Sequence, residues 1–466
     1  MIPVYSTEQI RQQDHCLIEQ MGYPSAQLME LAGYAVAEWI HRNHPSASVQ
    51  ICCGGGNNGG DGYVIARWLS LWGHSVQCVA VLKPKTVDCT LNADRLKSTG
   101  VTVDALNAEL FPSADILIDA ILGSGQRLPL STSLNEAVIW MGTHTGLLFA
   151  IDVPTGLNPN GAEICSALHT IRFDVTFALG GRKPCHYASS RCGQIVEIDI
   201  GLGLGLNHLP NAYQPMAQVI EEADIPKPLT FHSDMVKWNK GHLAIVAKRG
   251  AAVLAARAAL KTGVGLVSVV MPKSEWPHLH GLPPEVQMIE PSSLNPNRHD
   301  ALVIGPAWGL NDTTWLLDLW VHYPNPVIAD ADALHVLAKD LTRVNLPRVI
   351  TPHSAEAAAL LGLTREQVEQ NRFDTINKLA TIATVALLKG PYTLVSSEVP
   401  LITPVADSRL GVAGSGDVLS GLIGGLLAIG HTPIDSALIA VWKHSQAIPP
   451  TSKPSASGLI QSLKLT

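Results

Sequence analysis

The chain has 466 residues, 46% hydrophobic and 15% charged, enough apolar sequence for two or three buried cores. Its 39 acidic and 32 basic residues leave a formal charge of −7, and no basic cluster interrupts that balance, which excludes a general nucleic-acid binder. Met1 to Glu8 shows neither the charged nor the apolar region of a signal peptide. Val418 to Ile429, the most apolar stretch, is too short to span a bilayer, so a cytoplasmic protein without membrane association is expected. The 8 cysteines all lie between Cys16 and Cys192 with no CxxC spacing, and they read as small buried hydrophobes in a reducing compartment.

Apolar residues at helical spacing run through 6–43, and Gly22-Tyr23-Pro24-Ser25 divides them into two helices. A strand from Val49 follows, then a glycine loop, Gly54 to Gly62, a helix from Tyr63 to Trp72 and a strand from Val76 to Leu82. Strand, glycine loop, helix and strand in that order are the signature of a parallel, doubly wound sheet. Further strands are expected from Ile116, Leu147, Asp174 and Gln194. Ligands of such sheets bind beyond the carboxyl ends of the strands, where Asn57, Asn58, Asp61, Asp119 and Asp152 all fall. Asn and Asp are also ordinary turn residues after strands, so each alone says little. The glycine loop is neither GxGxxG nor a P-loop, but its bare N–H groups can still meet a phosphate. The oxygen side chains at Asn58, Asp119 and Thr155 suit a hard cation, and zinc spacing is missing.

The segment from Gly201 to Pro228 reads as a boundary, with the change of domain placed at 224/225. A second α/β set then begins, with strands expected at 241–247, 266–271, 301–305, 326–330, 348–351 and 385–389 and a helix from Ala251 to Thr262. These strands end in Gly305, Asp330, His353 and Lys389. Near the end comes Ala413-Gly-Ser-Gly-Asp417 at the start of a helix. Uncovered N–H groups and the positive helix end make an anion pocket there, and Asp417 could take a proton from a hydroxyl beside that anion.

The first half carries Leu28-Met-Glu-Leu-Ala-Gly33, Gly56-Asn-Asn-Gly-Gly-Asp-Gly62, Asp119-Ala-Ile-Leu-Gly-Ser-Gly125 and Ile151-Asp-Val-Pro-Thr-Gly156. The second carries Gly305-Pro-Ala-Trp-Gly309, Asp330-Ala-Asp-Ala-Leu334, Thr351-Pro-His353, Leu388-Lys-Gly390 and the Asp417 motif. In this order they resemble a Rossmann-like NAD(P)H-hydrate epimerase domain (1–224) fused to a ribokinase-like, ADP-dependent NAD(P)H-hydrate dehydratase (225–466), as in the bacterial bifunctional repair enzymes. The resemblance implies that R and S forms of NADHX and NADPHX are interconverted. The S form is then dehydrated with ADP, which phosphorylates the hydroxyl and leaves as AMP.

Residue by residue, it implies substrate contacts at Asn57, Asn58, Gly59, Gly60 and Asp61 and at Gly123, Ser124, Gly125, Gln126, Arg127, Leu128 and Pro129. Asp152 would do acid–base work, and Asn58, Asp119 and Thr155 would hold potassium. In the second half it implies nucleotide contacts at Lys389, Gly390, Pro391, Tyr392, Thr393, Gly414 and Gly416, substrate contacts at Ala251, Gly309 and His353, and Asp417 as the base. ADP is the implied co-substrate, magnesium a further candidate, and a homo-oligomer the implied assembly.

Three departures bear on the second half. The glycine loop after its first strand is shortened to Ala247-Lys-Arg-Gly-Ala251, bulky Trp308 sits in Gly305-Pro-Ala-Trp-Gly309, and the tail from Lys443 to Pro450 is rewritten. They leave two other readings open: an epimerase with a C-terminal domain that only binds nucleotide, and a ribokinase-like small-molecule kinase.

Overall fold

The chain divides into two units, Pro3–Ala217 and Gln218–Thr466 with Met1–Ile2. The computed structural model describes residues 1–106, 114–201, 214–227, 229, 236–310, 313–448 and 454–464. The expected boundary stretch 202–207, Pro228, and Pro449-Pro450 lie outside the described residues.

A short strand, β1 (Ile2–Val4), opens the chain. The first unit then builds β2 (Val49–Cys53), β3 (Val76–Ala80), β4 (Val103–Ala105), β5 (Ile116–Ala120), β6 (Leu147–Ile151), β7 (Val175–Leu179) and β8 (Gln194–Ile198). They form one sheet in the order β4-β3-β2-β5-β6-β7-β8, parallel throughout. Alternate residues of each strand serve opposite faces. Val49, Ile51 and Cys53 join Ile118, Phe149 and Phe177 under the Ser25–Asn43 and Asn57–Leu71 helices, while Cys52 joins Leu117, Leu148 and Ala150 under the Thr132–Met141 helix. Covered faces on both sides explain why these strands read as unbroken apolar runs. All 8 cysteines are free and buried, as expected. The edge strand β4 escaped sequence reading because two of its three residues are exposed and it has no apolar run.

The strand order reverses between β2 and β5, so a crevice opens at their carboxyl ends. The two ends approach closely: Gly54 N–H donates to the Ala120 carbonyl at 3.0 Å, and a side chain at Gly54 would lie 1.8 Å from the Ile121 carbonyl oxygen. The expected helix at 63–72 begins six residues earlier, at Asn57. Most of the expected glycine loop is therefore the first turns of a helix, and only 54–56 link it to β2. Glycine propensity argues against a helix here, but tertiary packing overrides it. Gly59 makes room for the Gly54 carbonyl, Gly60 for Met29 and Gly62 for Ala120.

The second unit contains β9 (Ala217–Val219), β10 (His242–Val246), β11 (Leu266–Val270), β12 (Gln287–Ile289), β13 (Ala301–Ile304), β14 (Val327–Ala329), β15 (Arg348–Ile350), β16 (Val385–Leu388), β17 (Leu394–Val395) and β18 (Leu401–Ile402). Its order is β9-β18-β17-β16-β15-β14-β13-β10-β11-β12, parallel from β16 to β12 and antiparallel across β16-β17-β18. The doubly wound core matches expectation, and the antiparallel flank adds to it. Strands of two residues carry no readable period, which is why β17 and β18 were invisible in sequence. The Arg249–Lys261 and Ser415–Ala428 helices pack on this core. Only Ala247 and Lys248 separate β10 from the Arg249–Lys261 helix, so the shortened turn is real.

Candidate functional site

A cavity of about 480 Å³ lies over the crevice of the first unit. Its floor is the helix start at Gly56, Asn57 and Asn58, where the first N–H groups have no intrahelical acceptor. Ile121 to Gln126 from the β5 turn and Asp152 from the end of β6 line it as well, with Asp61 between them. Sequence reading missed another wall, Ile10, Arg11, Asp14 and Ile18, and also Asp88 at the start of the Val87–Lys97 helix.

Asp152 is held on every side. Its backbone takes φ +66°, a left-handed conformation that costs a side-chain-bearing residue about 1–3 kcal/mol and persists only where its surroundings impose it. Those surroundings are visible: its N–H donates to Phe177 at 2.8 Å, and its carbonyl accepts from His186 Nε2 at 2.9 Å. The carboxylate accepts the Ser124 N–H on Oδ2 at 2.8 Å and pairs through Oδ1 with Lys183 Nζ at 2.6 Å. Lys183 is fully buried, and its ammonium also donates to the Leu179 and Gly181 carbonyls. A buried ammonium needs such compensation. Lys183 was absent from the sequence reading because it is remote from the other motifs, and a lone lysine after a strand gives no signal.

Burial raises the carboxyls around Asp152. Asp14 is pushed up to about 6 by burial, with Lys183 opposing and Asp152 reinforcing, and Asp61 is pushed well above the usual range by burial and then by Asp152. Protonated carboxyls can therefore share a cavity with the Asp152–Lys183 pair, Asp14 up to about pH 6 and Asp61 beyond it.

Asp119 corrects the expectation that five polar side chains meet on one rim. It is fully buried, below the cavity lining, and its carboxylate accepts the Thr155 N–H (2.7 Å), the Thr155 hydroxyl (2.8 Å) and the Ile121 N–H (3.1 Å). Burial pushes it up to about 6, against those hydrogen bonds. None of the ion pairs among the described residues involves Asp119, and the nearby Asn58 Nδ2 is a buried donor without an acceptor. One buried carboxylate with hydroxyl and carboxamide oxygens is a donor set for a weakly charged, oxygen-loving cation.

The other expected contacts of this unit divide. Asn57, Asn58, Asp61, Gly123, Ser124, Gly125 and Asp152 line the cavity. Gly59 and Gly60 are buried and serve helix packing. Gln126 reaches the lining, but its amide is committed, donating to the Pro154 carbonyl at 3.0 Å and accepting the Gly156 N–H at 2.7 Å. Arg127, Leu128 and Pro129 continue the turn beyond the cavity lining.

In the second unit, Gly414 takes φ +86° as the N-cap of the Ser415–Ala428 helix, which brings Asp417 into the first turn. A side chain at Gly416 would lie 3.3 Å from Lys389 Nζ and 3.7 Å from Asp330 Oδ2, so the helix end, the lysine and the aspartate share one small space. Lys389 pairs with buried Asp330 at 2.9 Å and lies 3.8 Å from Glu356, while Ser420 donates to the other Asp330 oxygen at 2.6 Å. Burial pulls the Lys389 ammonium down, but Asp330 and Glu356 outweigh it and leave the ammonium raised. Asp417 is pushed up to about 6 by burial and by Asp330, with Lys389 opposing.

His353 is the exposed N-cap of the Ser354–Leu361 helix. Its ring accepts the Ala355 and Glu356 N–H groups, and Glu356 takes its backbone N–H at 2.8 Å. Gly390 approaches Arg372 so closely that a side chain there would meet the guanidinium, which donates to the Leu388 and Tyr392 carbonyls. Thr393 is tied to the Gly390 carbonyl and to Thr403, and Pro391 is exposed. Gly309 N–H donates to Asp332 at 2.8 Å, and no hydrogen bond ties Ala251, half-exposed in its helix, to the Asp417 cluster among the described residues. Trp308 is buried against Trp315, with Lys248 Nζ 4.5 Å from its ring centre. The altered tail remains helical through Gln446, and its half-buried His444 sits 3.0 Å from the Ser415 hydroxyl at the head of the Asp417 helix. Asp330, Glu356, Ser420, Arg372 and His444 were not among the expected contacts, because a carboxylate after a strand or a histidine in an apolar helix has an ordinary structural use.

The NAD(P)H-hydrate dehydratase family model matches residues 246–459, and the model for the YjeF-related protein N-terminus matches 25–185. The bifunctional NAD(P)H-hydrate repair enzyme of Escherichia coli is 31% identical over 95% of this chain and 88% of its own length. That of Coxiella burnetii is 29% identical over 96% of this chain and 94% of its own. Among solved structures, a ribokinase-like superfamily protein from Enterococcus faecalis matches 51% of this chain and 89% of its own at 24% identity and a TM-score of 0.45. The chain belongs to the family of bifunctional NAD(P)H-hydrate repair enzymes.

Proposed function

We propose that this chain repairs hydrated nicotinamide cofactors. The half assigned to 1–224 interconverts the R and S forms of NADHX and NADPHX. The half assigned to 225–466 dehydrates the S form to NADH or NADPH, converting ADP to AMP and phosphate. The observation that carries the reading is the gathering of Asp417, Lys389, Asp330 and Glu356 at a helix end capped by Gly414.

Asp417 takes the proton from the substrate hydroxyl, whose oxygen attacks the terminal phosphorus of ADP, and AMP leaves. Lys389 and the N–H groups of Gly414 to Gly416 face the charge that builds on the transferred group. The C–O bond of the phosphate ester then breaks and phosphate, a far better leaving group than hydroxide, departs, while the adjacent ring carbon gives up a proton to solvent and its C–H electron pair forms the ring double bond. Gly390, Pro391, Tyr392 and Thr393 form the turn that receives the nucleotide, and Arg372 behind Gly390 fixes its backbone. Gly309, His353 and Ala251 remain the assigned substrate contacts. Trp308 packs on Trp315, and the Lys389–Asp330 pair is intact, which favours an active second half over a site that only binds nucleotide.

In the first half, Asn57, Asn58 and the Gly123 to Gly125 turn receive the substrate and Asp152 does acid–base work. Asn58, Asp119 and Thr155 would hold potassium, which supplies positive charge beside buried Asp119. No protein ligand set is assigned to magnesium, since no group of three or more carboxylate, imidazole or thiolate side chains able to hold a metal forms among the described residues. No helix among them is long and apolar enough to cross a membrane. A cytoplasmic homo-oligomer completes the reading.

The test incubates the full chain with mixed NADHX epimers and ADP–magnesium, following regenerated NADH by absorbance and both epimers by chromatography. Both epimers should disappear. An S form that yields no more NADH than with an Asp417→Ala control, or an R form that persists, overturns the corresponding half of the reading.

A further inference from the structure

The cavity of the first unit holds a carboxyl group that the assigned roles leave unused. Asp14 lies in the Thr7–His15 helix, on a wall that the strand-end motifs do not supply, and it faces the same space as Asp152. Asp152 is committed to Lys183 and to the Ser124 N–H, whereas Asp14 makes no hydrogen bond or ion pair among the described residues. A half-buried carboxyl left free beside a cavity loses hydration and receives no structural return. An acid perturbed by burial and lining a cavity is a candidate for a functional position.

We propose that Asp14 is a second catalytic residue of the first unit, the general acid that works with Asp152 on the hydroxyl-bearing carbon of the substrate. The assignment rests on the epimerase reading above.

The chemistry asks for two such groups. Adding water across the enamine double bond of a dihydronicotinamide puts the hydroxyl on the carbon attached to the ring nitrogen. A hydroxyl there leaves when it is protonated, because the nitrogen lone pair forms a C=N⁺ bond as the C–O bond breaks. Asp14 supplies that proton and water is released. Water then adds to the opposite face of the C=N⁺ carbon, its oxygen forming the new C–O bond, and Asp152 takes the surplus proton while the electron pair returns to nitrogen. The configuration is inverted, nothing is oxidised or reduced, and exchange with solvent restores both carboxyls. In the reverse direction the two residues exchange roles.

Burial keeps Asp14 protonated up to about pH 6, against the pull of Lys183 and with the push of Asp152. Asp61, Asp88 and Arg11 are the other ionisable groups of the cavity wall, and Asp61 is the more deeply buried acid. Asp61 sits within the Asn57–Leu71 helix, fixed by the close packing of Gly59, Gly60 and Gly62.

The test measures R-to-S interconversion by the full chain, without ADP, as a function of pH and substrate concentration. Asp14→Asn should lower kcat by about 100-fold, within the range of a lost general acid, with KM changed less than about threefold. The fall in wild-type rate as pH rises through about 6 should vanish in this variant. Asp14→Glu, which keeps the carboxyl, should recover at least about a tenth of the rate and serves if Asp14→Asn does not fold. An active wild type whose Asp14→Asn variant keeps its rate, loses only affinity or retains the limb near pH 6 overturns the assignment alone. So does an Asp14→Glu variant that folds but stays as slow as Asp14→Asn. A wild type that interconverts nothing overturns the epimerase reading and this assignment with it.

Discussion

Asp417 shows how much a residue's chemistry depends on neighbours that its motif does not contain. The motif supplies a carboxylate at a helix start, and the Ser415–Ala428 helix sets it beside Lys389 and Asp330. Burial and Asp330 raise its pKa to about 6, so its carboxylate is free to accept a proton only above that pH. Dehydration should therefore rise as pH increases through about 6 and then level off. Asp417→Asn should lose at least about 100-fold in kcat at pH 8 with ADP affinity kept within a few-fold. Stability runs the other way. The folded state holds this proton to a higher pH than the unfolded chain does, so the contribution of Asp417 to stability falls as pH rises from about 4 to about 6. Urea unfolding of wild type and Asp417→Asn across that window checks the sign, because the difference between them should change as Asp417 ionises.

At the scale of elements, the crevice depends on how closely β2 and β5 end together. Gly54 is the contact that sets this distance, since any side chain would sit 1.8 Å from the Ile121 carbonyl oxygen, and backbone cannot give way as a flexible side chain can. Gly54→Ala should cost about 2–4 kcal/mol, in the range of overpacking with a backbone shift, and epimerisation should fall with it because Ile121 to Gln126 begins at that point. Chemical denaturation and R-to-S interconversion on one preparation test both. The same contact explains the misread glycine stretch. Local propensity favours a loop at 54–62, whereas Gly54, Gly60 and Gly62 are required by β5, Met29 and Ala120, which lie far off in sequence.

The described residues form two sheets, one parallel and one mixed, each in its own unit and with its own candidate site. Ligands of the two halves should therefore stabilise different transitions. In calorimetry of the full chain, ADP–magnesium at a hundred times its Kd should stabilise one transition by about 2.7 kcal/mol and leave the other in place. Replacing choline with potassium should raise the other transition by a few degrees, and Asp119→Asn should remove that response. A potassium effect that survives Asp119→Asn would assign the cation elsewhere.

Sequence alone determined the central strands of both sheets, because a strand covered on both faces must be apolar along its length, whereas the short or exposed flanking strands carry no such run. It also determined that Asn57, Asn58, Asp152 and Lys389 follow strands and that Asp417 opens a helix, the positions where a doubly wound sheet can meet a ligand. The order of short motifs identified the family, which no single motif could. Only the tertiary structure decided what each group does. Asp119 withdrew beneath the site because three hydrogen-bond donors surround it, and Gln126 became a clamp on the Pro154 to Gly156 turn. Lys183, Asp330 and Asp14 entered because burial and charge pairing act between residues distant in the chain, through space that a linear pattern does not record.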